Sequence, residues 1–197
     1  MKTNTDIFKI QTNNVAPALG KILISGPFLF EPIFRRSVIL LIDHSKKGSM
    51  GIVVNKKLPL CLNDFFKEFD AIDNIPLYKG GPVETNMLFY IHRLEFIPDS
   101  LSLNNGLYVN GNFDYIKSYI LKGNPVSGYI RFFLGYCGWS DKQMSDELKK
   151  NTWMVSETNA YELLEEKENL NLWKHSMESL GSKYRTWARF PLIPSLN

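Results

Sequence analysis

The amino-acid sequence predicts a single α+β domain of 197 residues. Two observations lead to this class. Short runs of branched and aromatic residues, typical of strands, recur up to Ser140, and helical spacing of apolar residues prevails after it. No linker rich in Pro, Gly and Ser divides the chain, so we expect one intertwined domain over 1–197, with 1–14 as a loosely ordered extension.

The composition is that of an ordinary globular protein. Hydrophobic residues make up 44% of the chain and charged residues 22%, which excludes a largely disordered chain. Residues 1–14 lack the apolar core of a secretory signal, and the run Val38–Ile42 is far shorter than the roughly 20 residues of a spanning helix. The two cysteines form no disulfide framework. We therefore expect a cytoplasmic protein with reduced thiols and no membrane span.

Strand patterns dominate the first two thirds of the chain. Ser37–Ile42 and Met50–Asn55 flank a polar lysine turn, which predicts a hairpin at the centre of the fold. Gly80 and Gly81 are expected to free a turn for positive φ. The remaining predicted strands are Lys21–Ser25, Met87–His92, a hairpin over Leu101–Val109, Tyr129–Tyr136 and an edge strand at Thr152–Val155.

Helix signals are concentrated towards the end of the chain. Asn112 is a suitable N-cap for a helix that runs to Lys122. Ser140 and Gln143 have the spacing of a capping box, which predicts a helix from Ser140. The other predicted helices are Asn63–Phe69, Ala160–Glu166 and Leu170–Leu180, followed by an extended tail from Phe190.

Two loop segments stand out by their composition. Phe28–Phe34 places five apolar side chains around Glu31-Pro32, so we expect it to plug the core or to line a cleft. Gly135–Ser140 joins a predicted strand to a predicted helix and is expected to form a shaped turn. Loops of this kind commonly carry binding functions.

Several separated segments together identify a family. They are Gly20–Pro27, Glu31–His44, Gly48 with Gly51 and Asn55, Gly80–Val83, and Gly135–Leu148 with Trp153. In order and spacing they resemble the AlgH/YqgE family of bacterial proteins across nearly the whole chain. Glu31 stands where Asp is usual, and Cys137 stands where Ala is usual, which argues against an essential thiol.

The resemblance implies a fold and a location but little chemistry. The implied fold is α+β, with several coiled mixed and antiparallel sheets, a small barrel-like part and flanking helices, in a cytoplasmic bacterial protein. The family is usually labelled as regulators of transcription, because one namesake affects alginate production. No established catalytic residue comes with it.

The residues themselves offer only weak candidates for catalysis. A Ser/His/Asp set would have to combine Ser25 or Ser37, His44 or His92, and Asp43, and no Gly-x-Ser-x-Gly elbow is present. We therefore expect structural roles for these residues and no enzyme activity.

Metal, thiol and phosphate chemistry are also weakly indicated. The three histidines have no ligand spacing, so no metal or other cofactor is expected. Cys137 is either a reactive thiolate at the start of a helix or a small buried filler, and its aromatic neighbours favour the filler. The glycine turns match no phosphate loop.

We expect the protein to bind a partner protein or a small ligand in a cleft between Phe28–Arg36 and Gly135–Ser140. The candidate binding surface consists of Glu31, Phe34, Arg35, Arg36, His44, Gly80, Gly81, Tyr136, Trp139 and Gln143. Two alternatives stay open. One is a regulator that binds DNA directly through basic pairs such as Lys46-Lys47, and the other is a small-molecule enzyme with a loop-lined cleft.

Overall fold

Ten strands and five α-helices occur in the residues that the computed structural model describes, which are 13–165 and 172–190. The strands are β1 (Ile22–Ser25), β2 (Val38–Ser45), β3 (Gly48–Val53), β4 (Lys57–Cys61), β5 (Pro76–Lys79), β6 (Val83–His92), β7 (Leu101–Ser102), β8 (Tyr108–Val109), β9 (Ile130–Ser140) and β10 (Trp153–Ser156). The helices are α1 (Phe113–Leu121), α2 (Asp141–Lys149), α3 (Ala160–Leu164), α4 (Leu172–Ser179) and α5 (Arg185–Ala188). The predicted α+β class is confirmed.

The strands form one open sheet path with the order β10-β1-β2-β3-β9-β6-β8-β7. Pairing along this path is antiparallel, while β5 runs parallel to β9 and carries β4 on its other edge. The mixed and antiparallel pairing is as expected. Within the described strands the path is open, with β10 and β7 at its ends. The resemblance had implied a small barrel-like part instead.

Strand β9 belongs to both halves of the sheet. Its first half pairs with β5 and β6, and its second half pairs with β3 through Cys137 to Ser140. Between the halves lies Gly135, whose φ of 74° is accessible to glycine and costly for other residues. The expected turn at Gly135–Ser140 is therefore wrong: the glycine bends the strand, and pairing with β3 continues it to Ser140.

The core lies on both faces of this sheet. In β2, alternate side chains enter different clusters: Val38, Leu40 and Ile42 face one, and Ile39 and Leu41 face the other. Burying each such side chain contributes about 1.5–3 kcal/mol. Because both faces are covered, the strand has the continuous apolar run from which it was predicted.

Gly80 and Gly81 allow a close backbone contact with β9. Neither has a positive φ, so the conformational role expected for them is wrong. A Cβ atom on Gly81 would lie 1.9 Å from the Tyr136 carbonyl oxygen, and one on Gly80 would lie 2.2 Å from that of Gly135. The amide of Gly80 donates to Leu134 O over 2.8 Å, and its carbonyl accepts from Val53 N over 2.7 Å.

The helix prediction is confirmed at the capped segments and wrong at one other. Asn112 caps α1, and Ser140 opens α2 with a capping box. The segment predicted as one helix from Asn63 forms two 3-10 turns, at Leu62–Asp64 and Lys67–Phe69. Its Asn63 amide donates to Phe69 O over 2.7 Å, so a side chain competes there with helical backbone bonds.

The other predicted elements are largely present. The hairpins, β6 and the edge strand β10 are confirmed. Helices α3 and α4 lie within their predicted segments, and the remainder of those predictions, at 166 and 170–171, lies outside the described residues. So do the predicted tail beyond 190 and most of the extension 1–14. Asn13, at the start of the described chain, accepts from Val155 N at the free edge of β10 over 3.3 Å.

Gly81→Ala should lower the free energy of unfolding by about 1–3 kcal/mol, because the added methyl group cannot fit against the Tyr136 carbonyl. Urea denaturation measures the change. Gly138→Ala in β9 is the matched control, because a Cβ there meets only an ordinary contact at 3.7 Å; it should cost less than about 0.5 kcal/mol. Equal losses in the two variants would contradict the close-approach explanation.

Candidate functional site

A cleft of about 390 Å³ lies where β9 passes into α2. The loop after β1 forms one wall and the end of β9 with α2 forms the other. Its lining residues are Leu29, Glu31, Phe34, Pro82, Val83, Cys137, Gly138, Trp139, Gln143, Glu147, Lys150, Thr152 and Trp153. Its position, between the loop at 28–36 and the segment at 135–140, is where the sequence places it.

The loop wall is a hydrogen-bonded unit. The amides of Phe34 and Arg35 donate to the Glu31 carbonyl over 2.9 and 2.7 Å, and Ser37 Oγ donates to Ile33 O over 2.6 Å. These bonds hold the loop in a compact turn whose side chains have fixed directions.

Aromatic contacts anchor both sides of this loop. The Phe34 ring stands edge-on to Trp153 with centroids 5.7 Å apart, on the cleft side. The Phe28 ring packs against Trp187 and Phe190 on the opposite side. The segment therefore plugs the core with one side chain and lines the cleft with another, so both roles considered for it are present.

A single carboxylate organises the other wall. Glu147 Oε2 accepts from the indole nitrogens of Trp139 and Trp153 over 2.9 and 2.7 Å, and Oε1 accepts from Gln143 Nε2 over 2.8 Å. The two indole rings meet edge to face, with centroids 6.1 Å apart. Bonds to an ionised acceptor are stronger than neutral ones, so α2 is firmly held to β9 and β10.

The same helix face continues to the capping box. Gln143 Oε1 accepts from Ser140 N, the N-cap residue of α2, over 3.4 Å. The side-chain nitrogen of Gln143 donates to Glu147. Sequence reasoning missed Glu147 as a site residue. Two signals pointed to it: its spacing of one turn from Gln143, and the need of each nearby tryptophan for a hydrogen-bond acceptor.

The cleft combines apolar walls with a polar rim. Leu29 and Phe34 supply apolar surface above the two largely buried tryptophans, while Glu31, Gln143 and Lys150 are exposed around the opening. Its volume falls within the roughly 300–1,000 Å³ of small-molecule sites. Such an arrangement can bury an apolar group and orient its polar end at the rim.

Four of the sequence-predicted residues line this cleft: Glu31, Phe34, Trp139 and Gln143. Gly80 and Gly81 lie beside it, under the backbone of β9. Tyr136 is directed to the other face of the strand, where its ring lies 5.8 Å from that of Phe89. Side chains alternate between the two faces of a strand, so Tyr136 and Trp139, three positions apart on β9, lie on opposite faces of the sheet.

Three predicted residues lie away from the cleft. His44 is exposed at the end of β2, and its Nδ1 is 2.7 Å from Ser49 Oγ. His44 pairs with Ser49 of β3, and Ser49 pairs with Trp139 of β9. His44 therefore lies in the same cross-strand row as Trp139, two strands away from it. Arg35 and Arg36 end the loop, and the Arg36 guanidinium lies 5.0 Å over the Trp173 ring of α4.

Cys137 is the buried filler that its neighbours indicated. The side chain is 1% exposed, and Sγ donates to Gly80 O over 3.5 Å. Burial raises the pKa of the Cys137 thiol to about 12. It is therefore a neutral thiol at physiological pH, although α2 begins close by.

The candidate hydrolase residues have separate structural partners. Ser25 Oγ accepts from Ser37 N over 2.9 Å. His92 is fully buried, donates through Nε2 to Asn110 O over 2.8 Å and accepts from Leu94 N over 3.2 Å. Burial lowers the His92 pKa, against the effect of these backbone bonds.

The part of the chain that the structure describes has neither a metal-binding cluster nor a membrane-spanning helix. No group of three His, Cys, Asp or Glu side chains there could hold a metal ion. No helix in 13–165 or 172–190 has the length and apolar character needed to cross a bilayer.

These features define an α+β protein with an open, mainly antiparallel sheet and an aromatic cleft at a strand-to-helix junction. The family model described as AlgH-like (DUF179) matches residues 22–185. The chain belongs to this family.

Relatives agree with this assignment. A UPF0301 protein of Bacteroides fragilis is 59% identical over 198 aligned residues, covering 100% of each chain. The solution structure of AlgH from Pseudomonas aeruginosa matches with a TM-score of 0.64 and 26% identity, covering 91% of this chain and 98% of that one. A crystal structure of a Corynebacterium diphtheriae protein has the same fold, with a TM-score of 0.76 and 20% identity over 96% of this chain and 100% of that one.

Glu147→Gln should destabilise the protein by about 1–2 kcal/mol, because charged acceptors contribute more per hydrogen bond than neutral ones. The new side-chain NH2 group can also face the NH2 group of Gln143, so that two donors meet. Gln143 could turn its oxygen towards position 147 only by losing its hydrogen bond from Ser140 N. Chemical denaturation measures the loss. Asp146→Asn is the matched control, since Asp146 forms an exposed ion pair with Lys149 at 3.6 Å, and should change stability by less than about 0.5 kcal/mol. Losses of equal size would show that Glu147 has no special structural role.

The native protein should expose one thiol to Ellman's reagent near neutral pH. The half-buried Cys61 should react, whereas Cys137 should react only after unfolding, because it is buried and its pKa is raised to about 12. Cys61→Ser is the control and should leave the native protein without a reactive thiol. Rapid native labelling of Cys137 in this variant would contradict the filler role.

Proposed function

We propose that this AlgH-like protein acts by binding, and that the cleft between the loop at 28–36 and the start of α2 receives a partner side chain or a small ligand. A regulatory effect would then follow from the bound complex. The observation that carries the proposal is the pair of indoles fixed by Glu147 beneath an opening of ligand size.

The chemistry of the lining residues supports binding rather than catalysis. Both oxygens of Glu147 accept hydrogen bonds, and the Cys137 thiol is buried and protonated. On the loop wall, the titratable residue among those that line the cleft is Glu31, which lies at the rim. General acid–base or nucleophilic catalysis needs paired groups within hydrogen-bond reach of the reacting atoms. The fixed groups here suit recognition of shape and polarity instead.

The proposal also includes a cytoplasmic location. Both cysteines are free, at Cys61 and Cys137, which suits a reducing compartment. Fractionation of a bacterium that produces the tagged protein would test this part, and recovery in the envelope fractions would contradict it.

Direct DNA contact has less support than binding of a protein or small molecule. Lys46-Lys47 occupies a hairpin turn and Lys149-Lys150 the end of α2, so these two basic pairs belong to different elements. Phosphate contacts along a duplex need a continuous basic stripe. A gel-shift assay at two salt concentrations distinguishes the alternatives, since true phosphate contacts weaken as salt rises.

Val83→Arg should abolish binding in the cleft. Val83 is exposed and lies at the mouth of the cleft, so a long cationic side chain would obstruct the opening without entering the core. Binding would be measured by thermal shift against a metabolite library and by affinity purification from a bacterial lysate. A ligand at a hundred times its Kd should stabilise the native protein by about 2.7 kcal/mol.

The control for this experiment is Met87→Arg, which makes the same change at an exposed position of the same strand outside the cleft. At least one compound or partner should bind the wild-type protein and Met87→Arg but not Val83→Arg. If nothing binds the wild-type protein, or if both variants lose binding equally, the cleft is not the functional site.

A further inference from the structure

Three cationic residues, Arg35, Arg36 and Lys56, lie near one another where the loop at 28–36 ends, close enough for their charges to interact. Lys56 Nζ donates to the Arg35 carbonyl over 2.6 Å. The Arg36 guanidinium lies over the Trp173 ring and donates to the Phe190 carbonyl. Arg35, Arg36 and Lys56 are all half-buried, and we call them the cationic cluster.

The backbone that carries this cluster is rigidly held. Asn55 Nδ2 donates to the Arg36 carbonyl over 2.9 Å, and Asn55 Oδ1 accepts from Val38 N over 3.0 Å. Arg36 has a φ of 53°, a left-handed conformation that costs a non-glycine residue about 1–3 kcal/mol. Such strain persists only where surrounding contacts impose it, as Asn55 and Trp173 do here.

The charges of the cluster are not balanced by acids of the described chain. In the described chain, none of the three side chains forms an ion pair with a carboxylate. Burial lowers the pKa of Lys56, and the positive charges of Arg35 and Arg36 lower it further. Burial, followed by the charge of Arg35, likewise lowers the pKa of Arg36. The fold thus holds like charges together at a partly desolvated position, where an anion would relieve their repulsion.

We propose that the cationic cluster binds the phosphate group of a small phosphorylated molecule. A guanidinium presents a fork of donors that matches two phosphate oxygens, and an ammonium adds a compact charge beside it. The cluster spans one turn and one strand end, which suits a single anionic group. A duplex would engage many more cations, and the other basic pairs lie on separate elements. The site is independent of the proposed cleft, since Arg35, Arg36 and Lys56 do not line it.

The test compares two double variants that remove equal charge. Arg35→Gln with Lys56→Gln removes two charges from the cluster, and Lys46→Gln with Lys47→Gln removes two from the exposed hairpin turn. Arg36 is retained because it packs on Trp173. Inorganic phosphate, AMP and a short DNA duplex are titrated into each protein, with binding followed by calorimetry and by NMR shifts of the 34–38 and 54–57 amides.

The wild-type protein and the hairpin variant should bind phosphate and AMP equally, and the cluster variant should bind both at least about tenfold more weakly. Thermal melting checks that the cluster variant folds. If it fails to fold, Arg35→Gln alone replaces it and should still weaken binding. Absence of phosphate and AMP binding by the wild type would overturn the proposal. So would equal weakening in both double variants, or binding of the duplex alone.

Discussion

The close backbone contact between Gly80-Gly81 and β9 is the constraint on which the rest of the structure depends. It seats β5 and the start of β6 against the point where β9 bends, so one strand can serve both halves of the sheet. A side chain at Gly81 would force the two backbones apart. Gly135 makes the corresponding adjustment on the other strand, since its left-handed conformation turns β9 without ending it.

The cleft is a consequence of this continued strand. Because β9 runs on to Ser140, Trp139 is presented from a sheet rather than from a flexible turn, and α2 starts directly at the sheet edge. Glu147 then reaches Trp139 and, from β10, Trp153. A half-buried carboxylate is costly to desolvate, and the three N–H donors around it offset that cost. These bonds tie the α2 wall of the cleft to the two strands beneath it.

The elements that sequence reasoning identified are those specified by local chemistry. The apolar run of β2, the Asn112 cap and the Ser140 capping box each depend on a few neighbouring residues, and each was confirmed. The turn at Gly135–Ser140 was wrong because the partner that extends β9 is β3, which is distant in sequence. The same error affects the site: in a turn, Tyr136 and Trp139 can share a surface, whereas in a strand they alternate between faces. Glu147 was missed because its indole partners converge only after β9 and β10 are placed.

The loop at 28–36 is the element that links the two proposed sites. Its Glu31 carbonyl closes the turn that directs Phe34 towards the cleft, and its last residues carry the guanidinium groups of the cationic cluster. Because Asn55 and Ser37 fix the loop by hydrogen bonds, the two sides are held as one piece rather than moving separately. A ligand that binds one side therefore finds the other already formed.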